Sequence, residues 1–351
     1  MEVTSPSNET SSSSPPPIKR VLLMTKVKAE CELMIAFIFF SILGNYSRLG
    51  LIKLTNYEGS YVRGPTVLWA NLAACFLMGL MQTMKSYKVF SPLLFTAITT
   101  GYCGCVSSFS SLMVEMFTNA ANQPSTRVAS GFPNRAYGIM QFLAVLLTQL
   151  LASMCSHIFG LYVAKEFALY FKNFENRETS LAARRTHRVV SFIQKATLVL
   201  SVPVLAVQIV LAAVYDNRSR YWTLSAIFAF PGAALRYALS KQLNHRLKHF
   251  PMGTFTANFA GTLLLAVFTL VTKGKRSDNS PIIKSATAKT VVIALGNGFC
   301  GSLTTVSTFI NECHLLPLRK TLFYYFVSIF LSFGIVVVIV GSCAWTRGLN
   351  A

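Results

Sequence analysis

A chain of 351 residues in which 53% are apolar and only 13% charged lies far from the composition of soluble proteins, which excludes a string of water-soluble domains. The formal net charge of +20 would suit nucleic acid as a partner. The basic residues fall in short connections between apolar runs, however, where they set topology and meet anionic headgroups, so the expected partner is the lipid bilayer and not nucleic acid.

In chain order, residues 1–32 are expected to be a disordered tail, its first seventeen residues being rich in Ser and Pro and unable to bury a core. Apolar stretches of the ~20 residues that cross a hydrocarbon core of roughly 30 Å then recur at 33–54, 64–84, 91–114, 136–164, 196–214, 221–240, 252–272, 290–311 and 321–345. The fold class is thus all-α, a membrane protein of nine transmembrane helices. A strongly basic segment at 165–195 leans the topology towards a cytosolic amino terminus. Eight cysteines without a Cys-x-x-Cys pair provide neither a zinc site nor a disulfide framework. His157 has no second His or Cys at metal spacing and is expected to be a satisfied packing residue. The absence of Gly-x-Ser-x-Gly, a phosphate loop and His-Glu-x-x-His argues against an enzyme.

The chain repeats itself. Gly44-x-x-x-Arg48 in the first span answers to Gly232-x-x-x-Arg236 in the sixth, and a lone Asn follows 23 and 22 residues later, at Asn71 and Asn258. The next span of each half carries a run rich in Gly and hydroxyl residues, Gly101 to Glu115 and Gly298 to Glu312, superimposing without gaps at an offset of 197. Residues 33–164 and 221–351 are therefore read as two four-helix units. A basic loop and linker helix at 165–220 bring the second unit in from the opposite face, an inverted pair with sites expected near the midplane. The glycine-rich runs suit either small-residue helix packing or a helix broken inside the protein. Arg48 and Arg236 suit snorkelling or a shared electrostatic role, and Asn71 and Asn258 suit interhelical bonding or donation to an anion. Tyr324, Ser328 and Ser332 form one hydroxyl stripe, either adhesive or the wall of a wet path.

Gly301-Ser-Leu-Thr-Thr-Val-Ser-Thr-Phe309, Gly253-Thr-Phe-Thr-Ala-Asn258-Phe-Ala-Gly261 and Gly232-x-x-x-Arg236 closely resemble the Fluc (CrcB) fluoride channels, and the nine-span arrangement resembles their eukaryotic two-domain form, the FEX fluoride exporters. The resemblance implies two inverted Fluc-like repeats and a passive fluoride channel of the plasma membrane that exports the ion from the cytosol and confers fluoride resistance. The fused pair would function as a monomer. An anion/proton antiporter and a non-conducting scaffold are the alternatives. It further implies a pore lined by Phe109 and Phe309, with Val306 and Leu112 standing at the matching positions of a degenerate second pore. Asn71, Asn258, Ser110 and Thr308 would serve the pore together with the polar track Tyr324, Ser328 and Ser332; Arg48 and Arg236 would be vestibule or structural arginines. A structural sodium ion would sit on the carbonyls of Gly104, Ser107, Gly301 and Thr304. In the first half the fourth span offers Gln141, Thr148 and Gln149 in place of a clean stripe.

Overall fold

The computed structural model describes residues 17–57, 59–62, 64–123, 132–134, 136–178 and 181–350. Among them the chain forms nine helical rods: α1 (Pro17–Thr55), α2 (Leu68–Ser86), α3 (Pro92–Ala120), α4 (Ala136–Glu178), α5 (Leu181–Val214), α6 (Asn217–Leu243), α7 (Met252–Lys273), α8 (Ala286–Leu315) and α9 (Leu318–Thr346). Six of these, α3, α4, α5, α7, α8 and α9, are long and apolar enough to cross a membrane. The remaining three carry the polar residues of the repeat, Arg48 on α1, Asn71 on α2 and Arg236 on α6, and all three side chains are buried among other helices. The apolar stretches of α3 and α8 are 67% and 61% buried in protein, against 11% for α5. The third helix of each half is therefore the centre of the molecule, and the linker helix lies at its edge.

Two sequence expectations are corrected. Residues 17–32 are the first turns of α1 and not a disordered tail. No Gly or Pro interrupts the chain from Ile18 to Phe40, and Pro17 stands at the first helical position, where its missing N–H costs nothing. Residues 1–16 lie outside the described residues. The basic segment 165–195 is likewise mostly helix, shared between the end of α4 and the start of α5, because nothing from Leu161 to Val202 is a Gly or Pro.

Both central helices break in the same way. After a π-helical stretch, Ala97–Cys103 in α3 and Gly296–Cys300 in α8, the backbone turns extended at Ser107 (φ −81°, ψ 151°) and Ser108 (φ −145°, ψ 115°), and at Thr304 (φ −92°, ψ 152°) and Thr305 (φ −151°, ψ 132°). The helices resume at Phe109 and Val306, capped by Ser108 Oγ accepting from Ser111 N and Thr305 Oγ1 accepting from Thr308 N, both at 3.3 Å. Every residue at the break is buried, so its orphaned amides and carbonyls need protein partners.

Those partners come from the matched polar residues. Asn71 Oδ1 accepts from Ser108 N at 2.9 Å, and Asn258 Oδ1 from Thr305 N at 2.8 Å. The guanidinium of Arg48 donates to the carbonyl of Cys105 in its own half (2.5 Å), to the carbonyls of Gly301 (2.7 Å) and Asn297 in the other, and to Asn45 Oδ1 (2.7 Å). Arg236 donates to Ser302 O in its own half (3.0 Å) and to Thr100 O across the seam (2.7 Å). At the offset of 197, Cys105 answers to Ser302 and Thr100 to Asn297, so each half grips the other through equivalent atoms, as in an isologous dimer. Gly104 and Gly301 lie directly against the opposing guanidinium, where a Cβ would collide with it. Among the described residues no carboxylate pairs with either arginine; charge-assisted bonds to carbonyls meet the desolvation cost.

Within the first half, α2 and α4 approach at Gly79 and Gly160, where a methyl group would land on the His157 and Phe76 carbonyl oxygens. This is the small-residue contact that lets membrane helices touch backbone to backbone.

Replacing Arg48 by Met should orphan at least two buried carbonyls at roughly 1–3 kcal/mol each; we expect denaturant unfolding of the purified protein to report a loss of about 3 kcal/mol or more, and an unchanged midpoint would contradict the latch. Gly79→Val and Gly160→Val should each cost ~1–3 kcal/mol by overpacking, read as a lower thermal midpoint in detergent. Gly334→Ala, where nothing lies within 4 Å of the added atom, should cause no loss.

Candidate functional site

The seam between the two breaks is a sheet of hydroxyl groups. Ser107 Oγ donates to Ser307 Oγ at 3.0 Å, lies 3.2 Å from Thr305 Oγ1 and accepts from Ser307 N at 3.1 Å. Its counterpart Thr304 Oγ1 lies 2.9 Å from Ser110 Oγ and accepts from Ser110 N at 3.1 Å. Ser110, expected in the pore, is thus engaged across the seam. Thr308 is partly buried beside the cap, its hydroxyl accepting from Thr305 Oγ1 at 3.4 Å.

From this seam the resumed helices carry aromatic residues towards α9. The Phe109 and Phe309 rings, one from each half and both fully buried, meet edge to face with centroids 5.4 Å apart. Phe309 also packs on Tyr324 (4.8 Å) and Tyr325 (5.1 Å). Val306 and Leu112 are equally buried in the same apolar cluster. The Tyr324 hydroxyl donates to Glu312 Oε2 at 3.0 Å, and the other carboxylate oxygen accepts from Thr254 Oγ1 at 2.6 Å and Asn244 Nδ2 at 3.3 Å. In the sequence Glu312 only closes the run Gly298 to Glu312; its role as the anchor of Tyr324 depends on Thr254 and on Asn244, which no motif marks.

One and two turns beyond Tyr324 stand Ser328 and Ser332, each 1% exposed, with hydroxyls that find no hydrogen-bond partner among the described residues. Other helix hydroxyls here fold back onto the carbonyl four residues earlier, as do Thr262, Thr269, Thr272 and Ser225. Ser328 and Ser332 instead keep a polar atom buried and unbonded, a cost of about 1–3 kcal/mol apiece. Such a stripe holds nothing to its neighbours through hydrogen bonds.

The first half has its own stripe, on α4: Gln149, Ser153 and His157, all buried, with Gln149 Nε2, Ser153 Oγ and both His157 ring nitrogens lacking a bond of ordinary geometry. Gln149 Oε1 accepts from Asn71 Nδ2 at 2.9 Å, and its amide approaches Glu115, whose carboxylate accepts from Thr66 Oγ1 (2.7 Å) and Val67 N (2.9 Å). Gln149 therefore stands beside Glu115 as Tyr324 stands beside Glu312. Sequence reading fixed on Gln141, Thr148 and Gln149 because a long connection separates α3 from α4, whereas only Leu316 and Pro317 separate α8 from α9; the register is lost across the longer connection. His157 also departs from expectation: it is buried, but not satisfied.

Each amide of the Asn pair keeps one donor committed, Asn71 to Gln149 and Asn258 to Thr305 O at 3.2 Å. Their first task is to hold the breaks. A cavity of about 410 Å³ opens between the halves beside Glu115 and Ser111, with Lys53, Lys273 and Asn297 on its wall.

The family described as CrcB-like protein, Camphor Resistance (CrcB), matches residues 35–161 and again 223–342. Over 90% of its length the chain is 39% identical to Fluoride export protein 1 of Saccharomyces cerevisiae, covering 93% of that protein. It is 42% identical to Fluoride export protein 1 of Candida albicans, over 88% of this chain and 79% of the relative. Fluoride-specific ion channel FluC 1 of Methanosarcina barkeri is 35% identical over 31% of this chain and 81% of its own. No solved structure matches. With a family match in each half, and both matches carrying the arginines, asparagines and broken helices that build the seam, this chain is a membrane protein that belongs to the CrcB family.

Proposed function

We propose that the protein is a fluoride channel that exports the ion passively from the cytosol through a single working pore beside α9. The reading rests above all on the unbonded, buried hydroxyls of Ser328 and Ser332, in line with Tyr324 and the Phe109–Phe309 pair. The names of the relatives, fluoride export proteins and a fluoride-specific channel, identify the ion. A small anion leaving water needs donors in place of its hydration shell, yet held weakly enough to be released. Hydroxyls and the positive edges of aromatic rings meet that requirement. The second pathway would have Val306 and Leu112 at the matching positions and is degenerate.

Because the arginine and hydroxyl contacts are reciprocal, one chain supplies both faces of the seam and functions as a monomer. Reciprocity suits a two-fold relation between the halves; the odd number of rods from α1 to α5 turns the second half over, if each rod crosses the bilayer. This orientation, with a cytosolic amino terminus in the plasma membrane, accords with the basic segment 165–195. A structural sodium ion on Gly104, Ser107, Gly301 and Thr304 fits the chemistry of backbone oxygens. The carbonyls of Ser107 and Thr304 leave the helical ladder at the breaks, while that of Gly301 is shared with Arg48; when bound, the ion would add positive charge to the seam.

Export needs no nucleotide. Hydrogen fluoride enters uncharged and dissociates in a neutral cytosol, and a negative-inside potential drives the anion out with about 2.3 kcal/mol per 100 mV. The antiporter alternative requires a relay of carboxylates, yet Glu312 lies beside Tyr324 and Glu115 beside Gln149, one to each stripe.

In liposomes loaded with fluoride, Phe109→Ala and Phe309→Ala should slow efflux by about tenfold or more, equivalent to ~1.4 kcal/mol on the barrier, with Val306→Ala and Leu112→Ala near wild type and chloride excluded throughout. Equal losses from all four would refute the single pore. Cysteines placed at the α1–α2 and α6–α7 connections should react with an impermeant reagent from opposite sides of the membrane; same-side reaction would refute the inversion.

A further inference from the structure

The stripe on α4 ends in a residue that neither the seam nor the fluoride path uses. His157 is fully buried with neither ring nitrogen in a hydrogen bond of ordinary geometry, although its ring approaches the Cys75 backbone, and the ring meets that of His314, on α8 of the other half, with centroids 5.4 Å apart at 68°. A polar side chain held in an apolar site for packing alone would be better replaced by an apolar one. Two imidazoles at this spacing can turn ring nitrogens towards one borderline transition-metal ion. His314 is exposed where His157 is not, so an ion arriving from water meets His314 first and His157 behind it. The sequence conceals the pair because its members lie in different halves, 157 and 314. No third His, Cys, Asp or Glu completes a cluster among the described residues, so water would fill the remaining positions and binding would be reversible.

We propose that His157 and His314 form a binding site for a divalent transition-metal ion that ties α4 of the first half to the resumed segment of α8 in the second. That segment also carries Phe309 and Glu312, so an ion held there would bear on the helix that presents both.

The test uses the purified full-length protein, free of any affinity tag, with His187, His245 and His249 replaced by Asn so that the pair is the only source of imidazole. Titrated with Cu²⁺ and followed by electron paramagnetic resonance, this background should take up one ion per chain with hyperfine structure from two nitrogens. His314→Gln, a change at an exposed position that leaves the buried core intact, should remove one nitrogen and weaken uptake several-fold, and His157→Ala should do the same. Uptake no stronger than in the His157→Ala/His314→Gln double variant would overturn the proposal and leave the contact as a ring stack only. So would a two-nitrogen signal that survives either single change. Metal uptake is read directly, so the outcome is independent of whether the chain conducts fluoride.

Discussion

The structure depends on one constraint: two helices are broken in the middle of a membrane protein, and every amide and carbonyl released there must find a partner without water. Asn71 and Asn258 take the amides, and Arg48 and Arg236 take the carbonyls. Because each arginine reaches into the opposite half, it serves repair and assembly at once. This explains why a permanent positive charge is tolerated in the core: moving it would take charge-assisted bonds from buried carbonyls of both halves.

The glycines of the seam follow from the same requirement. Gly104 and Gly301 admit the opposing guanidinium where a side chain would exclude it, so their absence of a Cβ has a meaning independent of any bound cation. The asparagines, which as isolated residues suit either adhesion or anion contact, have a prior commitment to the backbone. One layer further out, on the fourth helix of each half, the hydroxyls of Ser153, Ser328 and Ser332 are buried without a bond of ordinary geometry.

The two halves have diverged in this outer layer while keeping the inner one. Thr100 and Asn297, Cys105 and Ser302, Ser107 and Thr304 differ in side chain, but they offer the same backbone oxygen or the same hydroxyl to the seam. Outside it, an aromatic and hydroxyl stripe in one half answers to a stripe of Gln, Ser and His in the other, and Val306 and Leu112 stand at the positions that match Phe109 and Phe309.

The sequence by itself determined the all-helical membrane class, the repeat and the glycine-rich runs in which the breaks fall, because apolar length, glycine content and an ungapped offset of 197 are local or linear properties; the pairing of Phe109 with Phe309 followed from the family resemblance, since that offset sets Phe109 opposite Val306. It misjudged residues 17–32 and 165–195, where charge suggested disorder or loop although nothing prevents a helix. Only the tertiary structure decided which oxygen each arginine holds, that Glu312 anchors Tyr324, that Ser328 and Ser332 are unbonded, and that His157 meets His314. Each of these depends on which faces of distant helices meet, and on whether a buried polar atom has a neighbour, and neither is written in the order of the residues.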